Sequence, residues 1–135
     1  SNMIYLHDDI NNTYSQYYTK DTNILNTEII NTYFKLKILQ TDFVCENKNV
    51  LVRRYKITNQ NNIDLDIRFL IHSGLLTDDN NQVSGYYKND MLIQYMHDYT
   101  FSIWSNKKSE NSQINNNKAN IQERNYRRQR LYRNV

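Results

Sequence analysis

The sequence predicts an all-β protein, an antiparallel β-sandwich, and three observations predict it. Apolar side chains recur at every second position from Ile63 to Ile71, alternating with Asp64, Asp66 and Arg68. A period of two is typical of a strand with one buried face, whereas a helix would scatter these side chains round its surface. Residues 50–58 are rich in β-branched and aromatic residues. Finally, stretches of about six such residues, separated by short polar turns, recur along the chain.

The first element is a predicted β-hairpin formed by residues 50–58 and 63–71. The four residues between them, Asn59–Asn62, are polar and suit a tight turn, because Asn tolerates left-handed backbone angles. A hairpin with one apolar face needs a second layer to cover that face. The remaining strands are therefore expected to supply a second sheet.

The other elements are assigned from the same signals. Residues 8–21 are polar and predict a long loop or an irregular edge, and residues 23–32 fit either a short helix or a strand. Turns are predicted at Asn89–Asp90 and at His97–Asp98. Further strands are predicted at residues 3–7, 33–43, 83–88, 91–96 and 99–104.

The strand pattern stops at Ser105, so two regions are predicted. Residues 1–104 form the β-sandwich domain, and residues 105–135 form a polar and then basic tail, either helical or disordered. A sandwich is not expected to end at residue 104. The prediction is therefore a sandwich that is incomplete at its C-terminus.

Composition narrows the class of protein. A length of 135 residues indicates one domain. The chain has no proline and only two glycines, so turns must use Asn and Asp. Cys45 is the only cysteine, which excludes an intrachain disulfide and a cysteine zinc site. We find no signal peptide and no run of 18 apolar residues, and we expect a cytoplasmic protein without membrane contact.

Two blocks of sequence resemble a known family. The first block combines LVRRYKITN at Leu51–Asn59 with Leu65 and with FLIHS at Phe69–Ser73, and the second is MLIQYMHDYTF at Met91–Phe101. They resemble the N-terminal, supersandwich-like β-sandwich domain of bacterial and archaeal glucoamylase-like proteins of glycoside hydrolase family 15. The resemblance covers residues 4–104.

The resemblance implies a supporting role. In such starch- and oligosaccharide-cleaving glucosidases, two catalytic glutamates lie on a C-terminal (α/α)₆ barrel, for which this chain has no room. The resemblance therefore implies no catalytic residue here and no cofactor. The partner it implies is the catalytic barrel of the full-length protein.

The residues themselves offer weaker candidates for chemistry. Glycoside hydrolysis needs two carboxyl groups on opposite sides of a bond, but surface and turn roles are favoured for every acidic pair. Cys45 follows Phe43 and Val44, where a small buried side chain is favoured over a nucleophile. The three histidines, His7, His72 and His97, lack metal-ligand spacing. The acidic pairs are Asp8–Asp9, Asp64 with Asp66, and Asp78–Asp79.

The strongest candidate contact site is the segment His97, Asp98 and Tyr99, together with His72. Polar and aromatic side chains at a turn can touch a sugar or a partner domain. An ordinary turn, with Asp98 bonding its own backbone, is the favoured alternative. The site prediction is therefore a domain-interface or ligand contact at His72, His97, Asp98 and Tyr99, without catalytic or metal-binding residues.

Three further hypotheses concern partners. A free-standing carbohydrate-binding module would need an aromatic platform built from exposed Tyr residues or Trp104. A nucleic-acid-binding fragment would use the basic tail, although a solvated tail is the favoured explanation. An exposed strand edge and an uncovered apolar face predict a homo-oligomer. The tail's basic and aromatic residues are Arg124, Tyr126, Arg127, Arg128, Arg130, Tyr132 and Arg133.

Overall fold

A computed structural model describes residues 3–73, 84–96 and 99–112. In these ranges the protein is all-β, with seven strands in two antiparallel sheets and no helix. This confirms the predicted fold class, since two antiparallel sheets are the elements of a β-sandwich. The chain divides into two compact units, residues 1–65 and 66–135, and each holds one sheet. The arginines and tyrosines of the tail, residues 124–133, lie outside the described residues, as do Asp78, Asp79, His97 and Asp98.

The first unit contains a four-stranded meander. Its strands follow one another in space in the order in which they follow one another in the chain, and every neighbouring pair is antiparallel. The connections span residues 19–24, 32–35 and 45–50. The strands are β1 (Asn12–Tyr18), β2 (Leu25–Asn31), β3 (Leu36–Val44) and β4 (Leu51–Asn59).

The core of this unit lies on one face of the sheet, which we call the inner face. Ile29 lies opposite Ile38, and Ile38 lies opposite Ile57, so these side chains form a row across three strands. Ile29 is 1% exposed, Ile38 is 2% exposed and the adjacent Leu36 is 6% exposed. Burying each such side chain contributes about 1.5–3 kcal/mol to stability.

A polar network closes one end of the inner face. Asn31 is fully buried, and its Nδ2 donates to Oδ1 of Asn12 at 2.8 Å. Oδ1 of Asn31 accepts the Phe34 N–H at 2.8 Å, which fixes the turn between β2 and β3. Nδ2 of Asn12 in turn donates to the Tyr5 carbonyl at 3.0 Å. The network therefore joins the N-terminal segment, the sheet and a turn.

The predicted hairpin of residues 50–58 and 63–71 is wrong in its second strand. β4 forms where expected, but it pairs with β3, and residues 60–73 form no strand. The alternation is kept as burial only in the middle of the segment, where Leu65 and Ile67 are half-buried and Asp64 and Asp66 are exposed, whereas Ile63 is 67% exposed. The segment therefore pairs with no strand of the described residues. β3 is the better partner for β4 because it supplies apolar side chains opposite Ile57 and its neighbours.

Three other assignments near the N-terminus change. Residues 3–7 form no strand, whereas β1 lies inside the predicted loop of residues 8–21. The ambiguous segment 23–32 forms strand β2. The strand predicted at residues 33–43 begins only at Leu36, because residues 32–35 form the turn that Asn31 caps.

The second unit contains a three-stranded meander, and its strands match the prediction closely. They are β5 (Ser84–Lys88), β6 (Met91–Met96) and β7 (Tyr99–Trp104), in that order. Asn89 and Asp90 form the predicted two-residue turn between β5 and β6. Their φ angles are 53° and 58°, as a type I′ hairpin turn requires.

Asn and Asp supply most of the left-handed turn residues, as the shortage of glycine predicts. Asp21 has a φ of 58° and Asn47 a φ of 60°, in the β1–β2 and β3–β4 connections. Lys35 is the exception, with a φ of 52° in the β2–β3 turn. A residue with a Cβ pays about 1–2 kcal/mol for this conformation, so Lys35 marks a strained position.

Candidate functional site

One face of the three-stranded sheet brings together Tyr86, Tyr95 and Trp104. Directly opposite residues share a face, and the register places Tyr86 opposite Ile93 and Met91 opposite Trp104. Tyr95 lies on the same face, because it is two residues from Ile93 on the same strand. We call this surface the aromatic face and define it by Tyr86, Met91, Ile93, Tyr95 and Trp104.

The aromatic face is accessible and partly pre-organised. Tyr86 is 45% exposed, Tyr95 is 43% exposed and Trp104 is 56% exposed. The rings of Tyr86 and Tyr95 meet edge to face, with centroids 6.1 Å apart and an interplanar angle of 63°. Trp104 lies opposite Met91, so it is about 14 Å along the strand direction from Tyr95. The exposed rings therefore extend along the sheet and can contact a flat or elongated partner.

The opposite face of this sheet carries Leu92, Phe101 and Ile103 together with a polar contact at Gln94. Nε2 of Gln94 donates to the Ser73 carbonyl at 3.1 Å, and the Ser73 hydroxyl donates to Oε1 of Gln94 at 2.5 Å. Gly85 lies opposite Gln94 and has no side chain to obstruct this approach. Ser73 thus contacts the face opposite the aromatic face, and that face also carries Tyr87, Tyr99 and Phe101.

Tyr87, also on that opposite face, is tied to the hairpin turn. Its hydroxyl donates to Oδ1 of Asp90 at 2.9 Å. Desolvation and this hydrogen bond raise the pKa of Tyr87 above its ordinary value. The bond joins the penultimate residue of β5 to the second residue of the hairpin turn, so it holds the turn against the strand.

The predicted contact residues lie partly within the described residues. His72 is exposed, and Tyr99 is 76% exposed at the start of β7, opposite Met96. Tyr99 lies on the same face as Gln94, because it is two residues from Phe101, which lies opposite Gln94. His72 precedes Ser73, which contacts Gln94. His97 and Asp98 lie outside the described residues. The interface or ligand role of His72, His97, Asp98 and Tyr99 stays a prediction.

The two acidic pairs that the structure describes occupy surface and turn positions. Oδ1 of Asp9 accepts the Asn11 N–H at 2.8 Å, as a turn residue does. Asp66 is paired with Arg68 at 3.9 Å, and both side chains are well exposed. Asp8 and Asp64 are exposed. Among the described residues, no group of three His, Cys, Asp or Glu side chains is placed to hold a metal ion.

Cys45 and His7 have structural surroundings. Cys45 is half-buried in the β3–β4 connection, and its backbone N–H donates to the Val50 carbonyl at 2.9 Å. The ring of His7 contacts the ring of Tyr5 edge to face, with centroids 5.9 Å apart. Both residues lie in the first unit, whereas His72 belongs to the second.

Sequence reasoning named Trp104 as a platform residue but did not select Tyr86 or Tyr95. The signal was present, because the two-residue turn at Asn89–Asp90 fixes which β5 and β6 residues lie opposite each other. Counting outward from that turn places Tyr86 and Tyr95 on one face with Met91. The aromatic face could therefore have been derived from the register.

Comparisons with known proteins leave the family open. No family model matches the chain, no curated protein matches it and no solved structure matches it. The resemblance to a glucoamylase-like domain stays a prediction. In the described ranges, no helix has the length and apolar character needed to cross a membrane.

Proposed function

We propose that this chain is a non-catalytic β-sheet module of a glucoamylase-like glycoside hydrolase and that it supports a catalytic (α/α)₆ barrel. The aromatic face carries the proposal. It combines half-exposed aromatic rings with the half-buried side chains of Met91 and Ile93. The sequence resemblance suggests which kind of partner covers it.

The chemistry of the aromatic face suits contact with protein. Tyr, Trp and Met are enriched in the buried centres of protein interfaces, while charged residues are depleted there. Lys88 is the one charged residue that the register places on this face, and it lies at the end of β5 beside the turn. Trp104 is the largest exposed side chain of the set, so it is the expected hot spot.

The first experiment measures hydrolysis. The purified chain, incubated with maltose or soluble starch, should release no glucose. Release of glucose above a heat-inactivated control would contradict the proposal, because a supporting module has no catalytic carboxyl pair.

The second experiment measures support of the barrel. A glucoamylase-like barrel domain should bind the chain, and Trp104→Ala should weaken that binding by at least tenfold, the typical loss at an aromatic hot spot. Tyr33→Ala is the matched control, since Tyr33 is 69% exposed in the other unit. Equal losses in the two variants, or no binding of the wild-type chain, would contradict the proposal.

A free-standing carbohydrate-binding module is the second candidate, and the extended row of exposed rings favours it. Aromatic rings spaced along a sheet can stack on successive sugar rings of an oligosaccharide. Calorimetric titration with malto-oligosaccharides separates the two functions. The supporting module should give no heat, whereas a binding module should give heat that Trp104→Ala or Tyr95→Ala removes.

A further inference from the structure

Strand β1 has one edge that no strand of the described residues covers. Two backbone hydrogen bonds at its ends show how its residues are oriented. The Thr32 N–H donates to the Asn11 carbonyl at 3.0 Å, and the Thr19 N–H donates to the Ile24 carbonyl at 2.9 Å. Bonded and non-bonded pairs alternate along an antiparallel ladder. The odd-numbered residues of β1 therefore direct their N–H and C=O groups toward β2.

The even-numbered residues consequently direct their backbone groups away from the sheet. The Asn12 N–H confirms this, because it donates to the Asp9 carbonyl at 3.0 Å instead of to β2. Beyond Asn12, the outward backbone groups are those of Tyr14, Gln16 and Tyr18. A row of outward N–H and C=O groups is a template for pairing with another strand.

The side chains of β1 do not protect this edge. Its sequence, NTYSQYY, has no charged residue and no proline. Tyr14 is 45% exposed, Tyr17 is 51% exposed and Tyr18 is 65% exposed. Edge strands are usually protected from pairing by lysine, by other charges or by proline. β4, at the other edge of the same sheet, has that protection in Arg53, Arg54 and Lys56, whereas β1 has none.

We propose that β1 is an interaction surface for β1 of a second copy of this chain. The two strands run antiparallel about a two-fold axis at Gln16 and form one continuous sheet. In this register Tyr14 lies opposite Tyr18 of the second copy, and each such pair exchanges both backbone hydrogen bonds. The register uses the outward groups of Tyr14, Gln16 and Tyr18 and leaves the bond between Asn12 and Asp9 intact.

Charge favours β1 over β4, the other edge strand of the same sheet, as the site of self-association. Two copies joined through β4 would bring the three cations of one strand against those of the other, and like charges opposite each other are destabilising. A contact of β1 with β4 would be head-to-tail, and such a contact does not close into a dimer. Of the two edges of the four-stranded sheet, only β1 paired with β1 is both uncharged and self-complementary. This interface does not depend on the partner of the aromatic face.

The test measures the mass of the full chain by sedimentation equilibrium over a wide range of concentration. The wild-type chain should approach twice its mass of 16.4 kDa and then stop growing. Ser15→Lys adds an exposed cation that faces its equivalent diagonally across the axis, and it should raise the dimer Kd about fivefold, less in high salt. Tyr18→Pro removes an outward donor from each copy and should raise Kd about thirtyfold. Thr58→Lys, on β4, is the matched control and should leave Kd unchanged.

Hydrogen exchange on the wild-type chain supplies a second measurement that needs no variant. The amides of Tyr14, Gln16 and Tyr18 should gain protection as concentration rises, whereas the outward amides of β4 should not. A monomer at every concentration overturns the proposal, as does a species that grows beyond the dimer. A dimer that Ser15→Lys and Tyr18→Pro leave as tight as the wild type, with unchanged amide protection, overturns it as well.

Discussion

Removing the buried amide of Asn31 should destabilise the first unit more than any exposed substitution. Asn31 is 0% exposed and makes two hydrogen bonds of 2.8 Å, to Asn12 and from the Phe34 N–H. Asn31→Ala deletes both bonds, leaves the Phe34 N–H without its acceptor and opens a small cavity. At about 1 kcal/mol for each bond, with a further penalty for the unpaired groups, we expect a loss of about 2–4 kcal/mol.

The assay is urea unfolding followed by far-ultraviolet circular dichroism. A domain is stable by only about 5–15 kcal/mol, so the expected loss is a large shift of the midpoint at an unchanged slope. Asn23→Ala is the matched control, because Asn23 is exposed in the β1–β2 connection and should change stability by less than about 0.5 kcal/mol. Equal midpoints for the two variants would refute the role of the network.

A second variant separates the two bonds of Asn31. Asn31→Asp keeps an acceptor for the Phe34 N–H but removes the donor to Asn12, so two oxygens face each other at a buried position. Burial raises the pKa of the introduced carboxyl. Its neutral form can donate to Asn12, so stability is retained at low pH and lost as pH rises through the raised pKa. A variant equally stable at acid and neutral pH would contradict this account.

Three further predictions concern turns, charges and titration. Lys35→Gly should raise the free energy of unfolding by about 0.5–1 kcal/mol, because glycine adopts the left-handed angle without strain; a fall in the urea midpoint would contradict it. Burial raises the pKa of Tyr55. The stability that its neutral hydroxyl contributes is therefore fully present below about pH 10, the ordinary pKa, and is lost as pH rises through the raised pKa. Tyr55→Phe should therefore flatten the alkaline fall in stability, and an unchanged slope would count against it. Arg53 contacts Asp42 at 2.7 Å near the surface, and a double-mutant cycle should give a coupling of about 0.5–1 kcal/mol that shrinks in high salt. A coupling that does not respond to salt would refute an ionic interaction.

Sequence analysis predicted well the strands that are determined by their own β-forming residues and by the turns next to them. Strands β5, β6 and β7 combine β-forming residues with short polar turns, and the Asn89–Asp90 turn needs only two residues that accept positive φ. β4 is predicted for the same reason. In each case the propensity and the turn signal agree, so no distant partner has to be known.

The errors come from information that only pairing supplies. The alternation of residues 63–71 predicts a strand with one buried side, but only Leu65, Ile67 and Phe69 of the apolar set are half-buried, and periodicity does not specify which strand lies alongside. β1 was missed because an edge strand with exposed tyrosines lacks an apolar face. Its three tyrosines and one threonine still favour a strand, and that propensity could have identified it.

The candidate site shows the same division. Trp104 was named as a platform residue from its type alone, whereas Tyr86 and Tyr95 required the register of the β5–β6 hairpin. Tyr99 was selected because it is an aromatic residue at a predicted turn, and the structure locates it on the face opposite the aromatic face. Residue type thus identifies candidate contact residues, but the strand register determines which of them lie on the same face of the sheet.

The meander of the first unit also bears on how quickly the protein reaches its native state. Each of its strands pairs only with the strands next to it in the chain, and the connections are short. Folding of this sheet therefore requires only short loops to close. The entropic cost of loop closure, which slows the folding of most all-β topologies, is accordingly low. We expect the strands of residues 3–65 to pair one hairpin at a time. The folding rate should then be closer to that of small mixed α/β domains than to that of Greek-key sandwiches.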